Sequence, residues 1–106
     1  MINLTENTFR SGVSEGLVLV DFWSEYCPAC MKVKNSLHIL EGKIKAGRLK
    51  LCEVKVDDQP LLEDKFDITM LPTLILFKGG NPVAKIEGAL TSLEIKNFVL
   101  ESLSRR

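Results

Sequence analysis

The 106-residue chain reads as an α/β fold, a mixed central sheet of about five strands flanked by about four helices. Three observations predict it. Short, mostly apolar runs at residues 17–23, 49–56 and 73–77 alternate with stretches of helical periodicity. Near-continuous apolar runs suit strands buried on both faces, as parallel crossovers require. Lys78-Gly79-Gly80-Asn81-Pro82 is a turn signal, and a strand-like run resumes at 83–87, so strands four and five form a hairpin. The closing helix has a strong start. The resulting order, β-α-β-α-β-α-β-β-α, puts crossovers first and the hairpin last, which calls for a mixed sheet with helices on both faces.

Each element has its own warrant. After a first short strand, Thr5 is placed to cap a helix that carries Phe9 and Val13. The run 17–23 is apolar except for Asp21 in its middle. Beyond Cys30, Val33, Leu37, Leu40 and Ile44 recur at helical spacing, while Lys32, Lys34, Glu41, Lys43 and Lys45 point elsewhere. Ala46-Gly47 is the expected end of that helix, and His38 on its polar side is given no role. Cys52 alternates with Leu51 in the second apolar run and reads as a buried small hydrophobe. A short helix is expected over 59–66. In the last helix Thr91 and Glu94 have capping-box spacing, Leu90 and Ile95 form a staple, and Ile95, Phe98, Val99 and Leu103 make the buried stripe.

Composition bounds the function. Apolar residues make up 45% and charged residues 26%, and no linker or repeat divides the chain, so residues 1–106 read as one domain. Lys plus Arg equals Asp plus Glu at 14 each, leaving no bulk field to recruit nucleic acid or a membrane. The start, Met1-Ile2-Asn3-Leu4-Thr5-Glu6, lacks a basic segment followed by an apolar one, so no secretory signal is expected. Three cysteines in such a chain argue against a disulfide framework and for a reducing, cytoplasmic location.

Chemistry concentrates in Cys27-Pro28-Ala29-Cys30. Two thiols three positions apart at a strand-to-helix junction can close a disulfide within one turn. The helix N-terminus stabilises a thiolate on the first. Cys27 is the candidate nucleophile and Cys30, deeper in the helix, the candidate resolving thiol. The bland alternative is half of a zinc site, but one Cys and one His remain to complete it, so no metal is expected. Asp21 inside an apolar strand reads as a buried acid that accepts a proton from Cys30; the alternative is a strand-end Asp facing solvent. Trp23 and Tyr26 shield the dithiol and contribute to a docking surface, or merely pack. Gly88 and Ala89 allow close approach of a partner, or merely end a strand.

The run Val20-Asp21-Phe22-Trp23-Ser24-Glu25-Tyr26-Cys27-Pro28-Ala29-Cys30 resembles the thioredoxin active-site segment, and Leu71-Pro72-Thr73 resembles that family's cis-proline motif. Val56-Asp57, Phe77-Lys78-Gly79-Gly80 and Glu87-Gly88-Ala89-Leu90 fall at matching distances, so the resemblance covers nearly the whole chain. It implies a thioredoxin fold and a cis Pro72 beside the dithiol, with the Leu71 backbone free to pair with an extended substrate strand. Implied too are reduction of protein disulfides, recharging by a thioredoxin-reductase-type flavoprotein, no bound cofactor beyond the Cys27–Cys30 disulfide, and a monomer. The chain departs from the family at Pro28-Ala29 (Gly-Pro in thioredoxin), Tyr26 (usually Trp), Asn35 (a helix-kinking proline) and Glu87 (an apolar residue). Proline first between the cysteines also resembles glutaredoxins, which glutathione recharges, and a non-catalytic docking subunit would use the same fold. Pro28 opens the helix without needing an N–H, and the Ala29 N–H is expected to reach the Cys27 sulfur. More donors to a thiolate favour the reduced form, hence a potential less reducing than about −270 mV.

Overall fold

Residues 17–23 become the central strand. In the computed structural model, which describes residues 1–45 and 47–104, β2 (Leu17–Trp23) is flanked on one side by β3 (Lys50–Lys55) and on the other by β4 (Thr73–Lys78). With β1 (Ile2–Asn3) and β5 (Asn81–Glu87) the sheet runs β1-β3-β2-β4-β5. β1, β3 and β2 are parallel, while β4 runs antiparallel to both β2 and β5. The mixed sheet predicted from the run order is therefore present, and β2 is buried on both faces as its continuous apolarity requires.

The strand period of two divides the core. Val18, Val20, Phe22, Cys52 and Val54 face α1 (Phe9–Val13) and α3 (Pro60–Lys65), where Phe9, Phe66 and Phe77 complete an aromatic group. Phe9 and Phe66 stand 5.1 Å apart, and Phe9 and Phe77 meet edge-on at 5.5 Å. Leu19, Leu51, Leu74 and Leu76 face α2 (Pro28–Glu41) and α4 (Ser92–Leu103), meeting Val33, Leu37, Ile95 and Val99. Asp21 and Trp23 share the parity of Leu19 and so lie on the α2/α4 side.

Four boundaries differ from expectation. Thr5 does not cap α1: its N–H donates to Thr8 Oγ1 at 2.9 Å in a turn over 5–8, and the helix starts after Thr8. α2 ends at Gly42, sooner than expected, yet Ile44 still packs on the α2/α4 core through a turn in which its N–H reaches Leu40 O, 3.1 Å. Of the expected end at Ala46-Gly47, Ala46 lies outside the described residues and Gly47 sits at φ +86. Val56 leaves β3 for a 3-10 turn, Val56–Asp58. The hairpin loop is shorter than the five-residue signal: Lys78 pairs with Asn81 across Gly79 and Gly80, whose φ values of +57 and +86 suit a two-residue turn of the kind that matches strand twist. Pro82 is accommodated on the edge strand beside a bulge.

The closing helix forms as read. Thr91 Oγ1 accepts the Glu94 N–H at 3.1 Å, Glu94 Oε1 accepts the Thr91 N–H at 2.9 Å, and Leu90 and Ile95 join one core. Among the described residues, no helix is long and apolar enough to cross a membrane.

Candidate functional site

β2 delivers the chain to the start of α2, and the dithiol sits on that junction. Cys27 is the N-cap, in extended conformation, with Pro28 in the first turn where a missing N–H removes no helical bond. Cys27 and Cys30 are joined in a disulfide, their Cα atoms 5.3 Å apart. The Cys30 N–H donates to Cys27 Sγ at 3.2 Å. This corrects one expectation: the N–H reaching the sulfur belongs to Cys30, not Ala29, so the predicted rise in potential loses the donor it was built on. Cys30 is fully buried, whereas Cys27 is partly exposed.

The loop ahead of Cys27 is held from the 3-10 turn that follows β3. Ser24 donates to Asp57 Oδ1 at 2.8 Å, the Glu25 N–H to Asp57 Oδ2 at 3.2 Å, and the Cys27 N–H to Ser24 O at 3.2 Å. Sequence reasoning gave Ser24 and Asp57 no supporting role. The available signal was a hydroxyl just before the dithiol and an acid where the next parallel strand ends. Tyr26, beside this loop, is 81% exposed.

Asp21 is fully buried, and among the described residues neither carboxyl oxygen has a hydrogen-bond partner. Loss of hydration pushes its pKa up to about 7, helped by the charge of Glu53 and opposed by that of Lys34. The solvent-facing alternative for Asp21 is thereby removed. Trp23, two residues on, is half-buried beneath Lys34 Nζ, 3.5 Å from its ring centroid. Cys52 is buried with its thiol pKa pushed up by burial, as expected of an inert thiol.

The second edge of the site comes from β4. The Leu71–Pro72 bond is cis. Thr73 pairs with Phe22, which puts Pro72 at the end of the sheet where β2 runs toward Cys27. The Gly88 N–H donates to Pro72 O at 2.9 Å, tying the two together. Gly88 has φ +99, and a Cβ there would lie 3.3 Å from Met70 Sδ, so a side chain would be both strained and crowded. Leu71 is half-buried against the α1/α3 core, and Met70 beside it is 50% exposed, an apolar side chain the sequence reading did not single out. A groove of about 440 Å³ runs between Pro28 and Ala29 on α2 and Ala89, Leu90 and Thr91 ahead of α4. Glu87 lies at the end of β5, 3.7 Å from Lys85. Cys27, Cys30, Pro28, Ala29, Trp23 and Tyr26 are thus placed by one junction, and Leu71, Pro72, Gly88 and Ala89 by the facing loops. Among the described residues no three His, Cys, Asp or Glu side chains converge as metal ligands.

The family model for thioredoxin matches residues 1–101. The chain belongs to the thioredoxin family. Thioredoxin from Staphylococcus saprophyticus is 34% identical over 88 residues, 83% of this chain and 84% of that protein. Thioredoxin from Pseudomonas aeruginosa is 33% identical over 101 residues, 93% of each. The mixed five-stranded sheet with α2 and α4 on one side and α1 and α3 on the other is the thioredoxin fold. With a Cys27–Cys30 disulfide on that fold, this thioredoxin-family chain is a protein thiol–disulfide oxidoreductase.

Proposed function

We propose that the chain works as a single-domain, monomeric, cytoplasmic reductant of protein disulfides, recharged by a thioredoxin-reductase-type flavoprotein. Support comes from family membership and from the position of the Cys27 sulfur, which caps α2 and accepts the Cys30 N–H at 3.2 Å. The same N–H and the positive end of the helix dipole stabilise a thiolate on Cys27.

In the reduced protein the Cys27 thiolate attacks one sulfur of a substrate disulfide. A Cys27–substrate disulfide forms and the other substrate sulfur leaves as a thiolate. Cys30 then loses its proton to Asp21 and attacks Cys27 Sγ. The mixed disulfide breaks, the second substrate thiolate departs, and the Cys27–Cys30 disulfide closes. Two electrons have passed to the substrate, and two from the flavoprotein restore the dithiol with no metal or bound cofactor. An acid with pKa about 7 is matched to this transfer because it both accepts and releases a proton near neutrality.

Substrate docks in extended form along the Leu71 backbone at the cis Pro72. Trp23, Tyr26, Pro28, Ala29, Gly88 and Ala89 form the remaining contact surface, with small residues where the two chains come closest. Cys30→Ser is expected to accumulate substrate proteins as mixed disulfides on Cys27, released by dithiothreitol, while Cys27→Ser captures none. A folded Cys30→Ser protein that captures nothing from an oxidised lysate would overturn the exchange mechanism. Recharging by glutathione in place of the flavoprotein would favour a glutaredoxin-like role.

A further inference from the structure

α2 and α4 lie side by side, and the cleft between them opens at both ends. At one end is the groove beside the dithiol, where the hydroxyls of Ser36 and Ser92 meet at 3.2 Å. One turn farther along each helix a second groove of about 340 Å³ opens. Its floor is Leu40 and Ile44, from α2 and the turn after it, with Val99 and Leu103 from α4. From Cys27 to Leu40 the helix rises about 20 Å, so this groove stands well clear of the dithiol.

The charges around the floor are all of one sign. Lys43, Lys45 and Arg48 line it from the α2 side, and Lys96 from α4. All four are exposed, and among the described residues none is in an ion pair. No acid lines the groove. Glu41 on α2 is held by the Met1 amino group at 3.1 Å, and Glu94 on α4 by the cap at Thr91. The whole chain carries 14 charges of each sign, so these four cations are a local excess. Helix electrostatics accounts for only part of it. Lys43, just past the end of α2, complements the negative end of that helix dipole. Arg48 is too far along to do so, and Lys96 lies in the N-terminal half of α4, where the dipole gives a cation no advantage. Apolar surface is left open beside these cations. Leu100 on the groove is 52% exposed, and Leu93, two turns earlier on the same face of α4, is 65% exposed. The apolar strip thus continues along α4 for about 10 Å, with Lys96 between the two leucines.

An apolar strip rimmed by unpaired charge marks an interaction surface, and the rim selects the occupant. A single aliphatic anion carries one head group and leaves most of the four cations unpaired. A bilayer surface meets side chains that protrude, whereas Val99 is buried at the base of a recess. A helix with an apolar stripe and carboxylates on both flanks matches floor and rim together. We infer that this end of the α2/α4 cleft is a docking site for an acidic amphipathic helix of a partner protein. Its apolar residues seat on Leu40, Ile44, Leu100 and Leu103, and its carboxylates pair with Lys43, Lys45, Arg48 and Lys96. The contact is noncovalent and leaves Cys27 uncovered, so it goes beyond disulfide exchange and needs no role for Cys30 or Asp21.

The probe is a synthetic helix of about 18 residues, long enough to be helical alone, with Leu at every third or fourth position, Glu on both flanks and Ala elsewhere. Added to the nitrogen-15-labelled disulfide form of the full chain, it is expected to shift the amides of 40–45 and 96–103 and to leave those of 27–30 in place. Raising the salt from about 0.01 M to about 1 M should weaken binding about tenfold. Reversing two charges in one protein, Lys43→Glu with Lys96→Glu, should weaken it by at least about tenfold, and Lys43→Gln with Lys96→Gln by less. Leu100→Ser is expected to weaken it about fivefold. Shifts at 27–30 instead of 40–45, or equal affinity for a peptide with Lys in place of every Glu, would overturn the inference. So would unchanged binding in the charge-reversed protein, its fold checked by circular dichroism, with the paired Gln variant deciding if the reversed one does not fold. A peptide that shifts nothing overturns it too. Sodium dodecanoate or phosphatidylglycerol vesicles acting on the same amides would then identify a lipid anion as the occupant.

Discussion

Asp21 holds a proton that the unfolded chain would release. Its pKa rises from an ordinary 3.8 to about 7 because burial strips the carboxylate of water and no hydrogen bond among the described residues replaces it. Between those two values the native state binds more protons than the unfolded state, so raising the pH destabilises the fold. The slope is about 1.4 kcal/mol per pH unit for one group, and it vanishes once pH passes the folded-state value. The stabilising contribution of the neutral acid is thus fully present below pH 4 and lost as pH climbs through about 7. Asn at this position mimics the neutral acid at every pH. Asp21→Asn is therefore expected to match the parent at pH 4 and to exceed it at pH 8 by a few kcal/mol, on the order of the integrated slope. Urea unfolding of the disulfide form at both pH values checks this, and an equal difference at pH 4 and pH 8 would show that the buried carboxyl is not the cause. Under the proposed mechanism, in which Asp21 accepts the Cys30 proton, the same substitution should slow disulfide reduction. Stability set aside for chemistry is what one expects of a perturbed acid inside a core.

At the scale of elements, the features legible in the sequence are those carried by neighbours along the chain. The capping box of α4 needs only Thr91 and Glu94, and the structure closes both of its hydrogen bonds. Thr91→Ala is expected to cost about 1 kcal/mol by urea titration, with Thr91→Ser recovering most of it. A loss well below that would mean that packing of Leu90 and Ile95, rather than the cap, fixes the helix start. The Cys27-Pro28-Ala29-Cys30 junction was legible for the same reason: strand, N-cap, proline and second thiol follow in order. The end of α2 was not, because Ile44 keeps the helical spacing while packing from a turn beyond Gly42. Periodicity reports which side chains reach the core, and a well-placed turn satisfies it as well as a helix does. The contacts of Asp57 and Glu53 were not legible because their partners lie far along the chain, at Ser24 and Lys34. Pairing of β2 with β3 and the packing of α2 on the sheet bring them together. The two-residue hairpin was half legible: the glycines announced a turn, but whether Asn81 and Pro82 belonged to it depended on the bulge between Leu76 and Phe77.

On the scale of the whole molecule, the sheet separates two cores and the site draws on both. α2, with Cys30 buried on its inner face, is anchored by Val33 and Leu37 to the α2/α4 side. Leu71, next to the cis Pro72, packs on the α1/α3 side with Ile68 and Phe66. The facing edges of the groove are therefore held by different sets of apolar contacts, with β2 as the wall between them. Substitutions in different cores share no partners, so their costs should add. Ile75→Val in the α1/α3 core and Ile95→Val in the α2/α4 core are each expected to cost 0.5–1.5 kcal/mol, or about 1. The double variant should equal their sum to within about 0.5 kcal/mol. Leu37→Ala combined with Ile95→Val is the contrast. Both residues belong to the α2/α4 core, and the space left by Leu37 lets the shorter α4 side chain and its neighbours relax, so this pair should depart from additivity. Urea unfolding of the six proteins, parent included, measures both cycles. Equal coupling in the two cycles would mean that the sheet transmits repacking from one side to the other. In that case the dithiol and the cis-proline loop would respond as one body, and a core substitution on either side would move the groove itself.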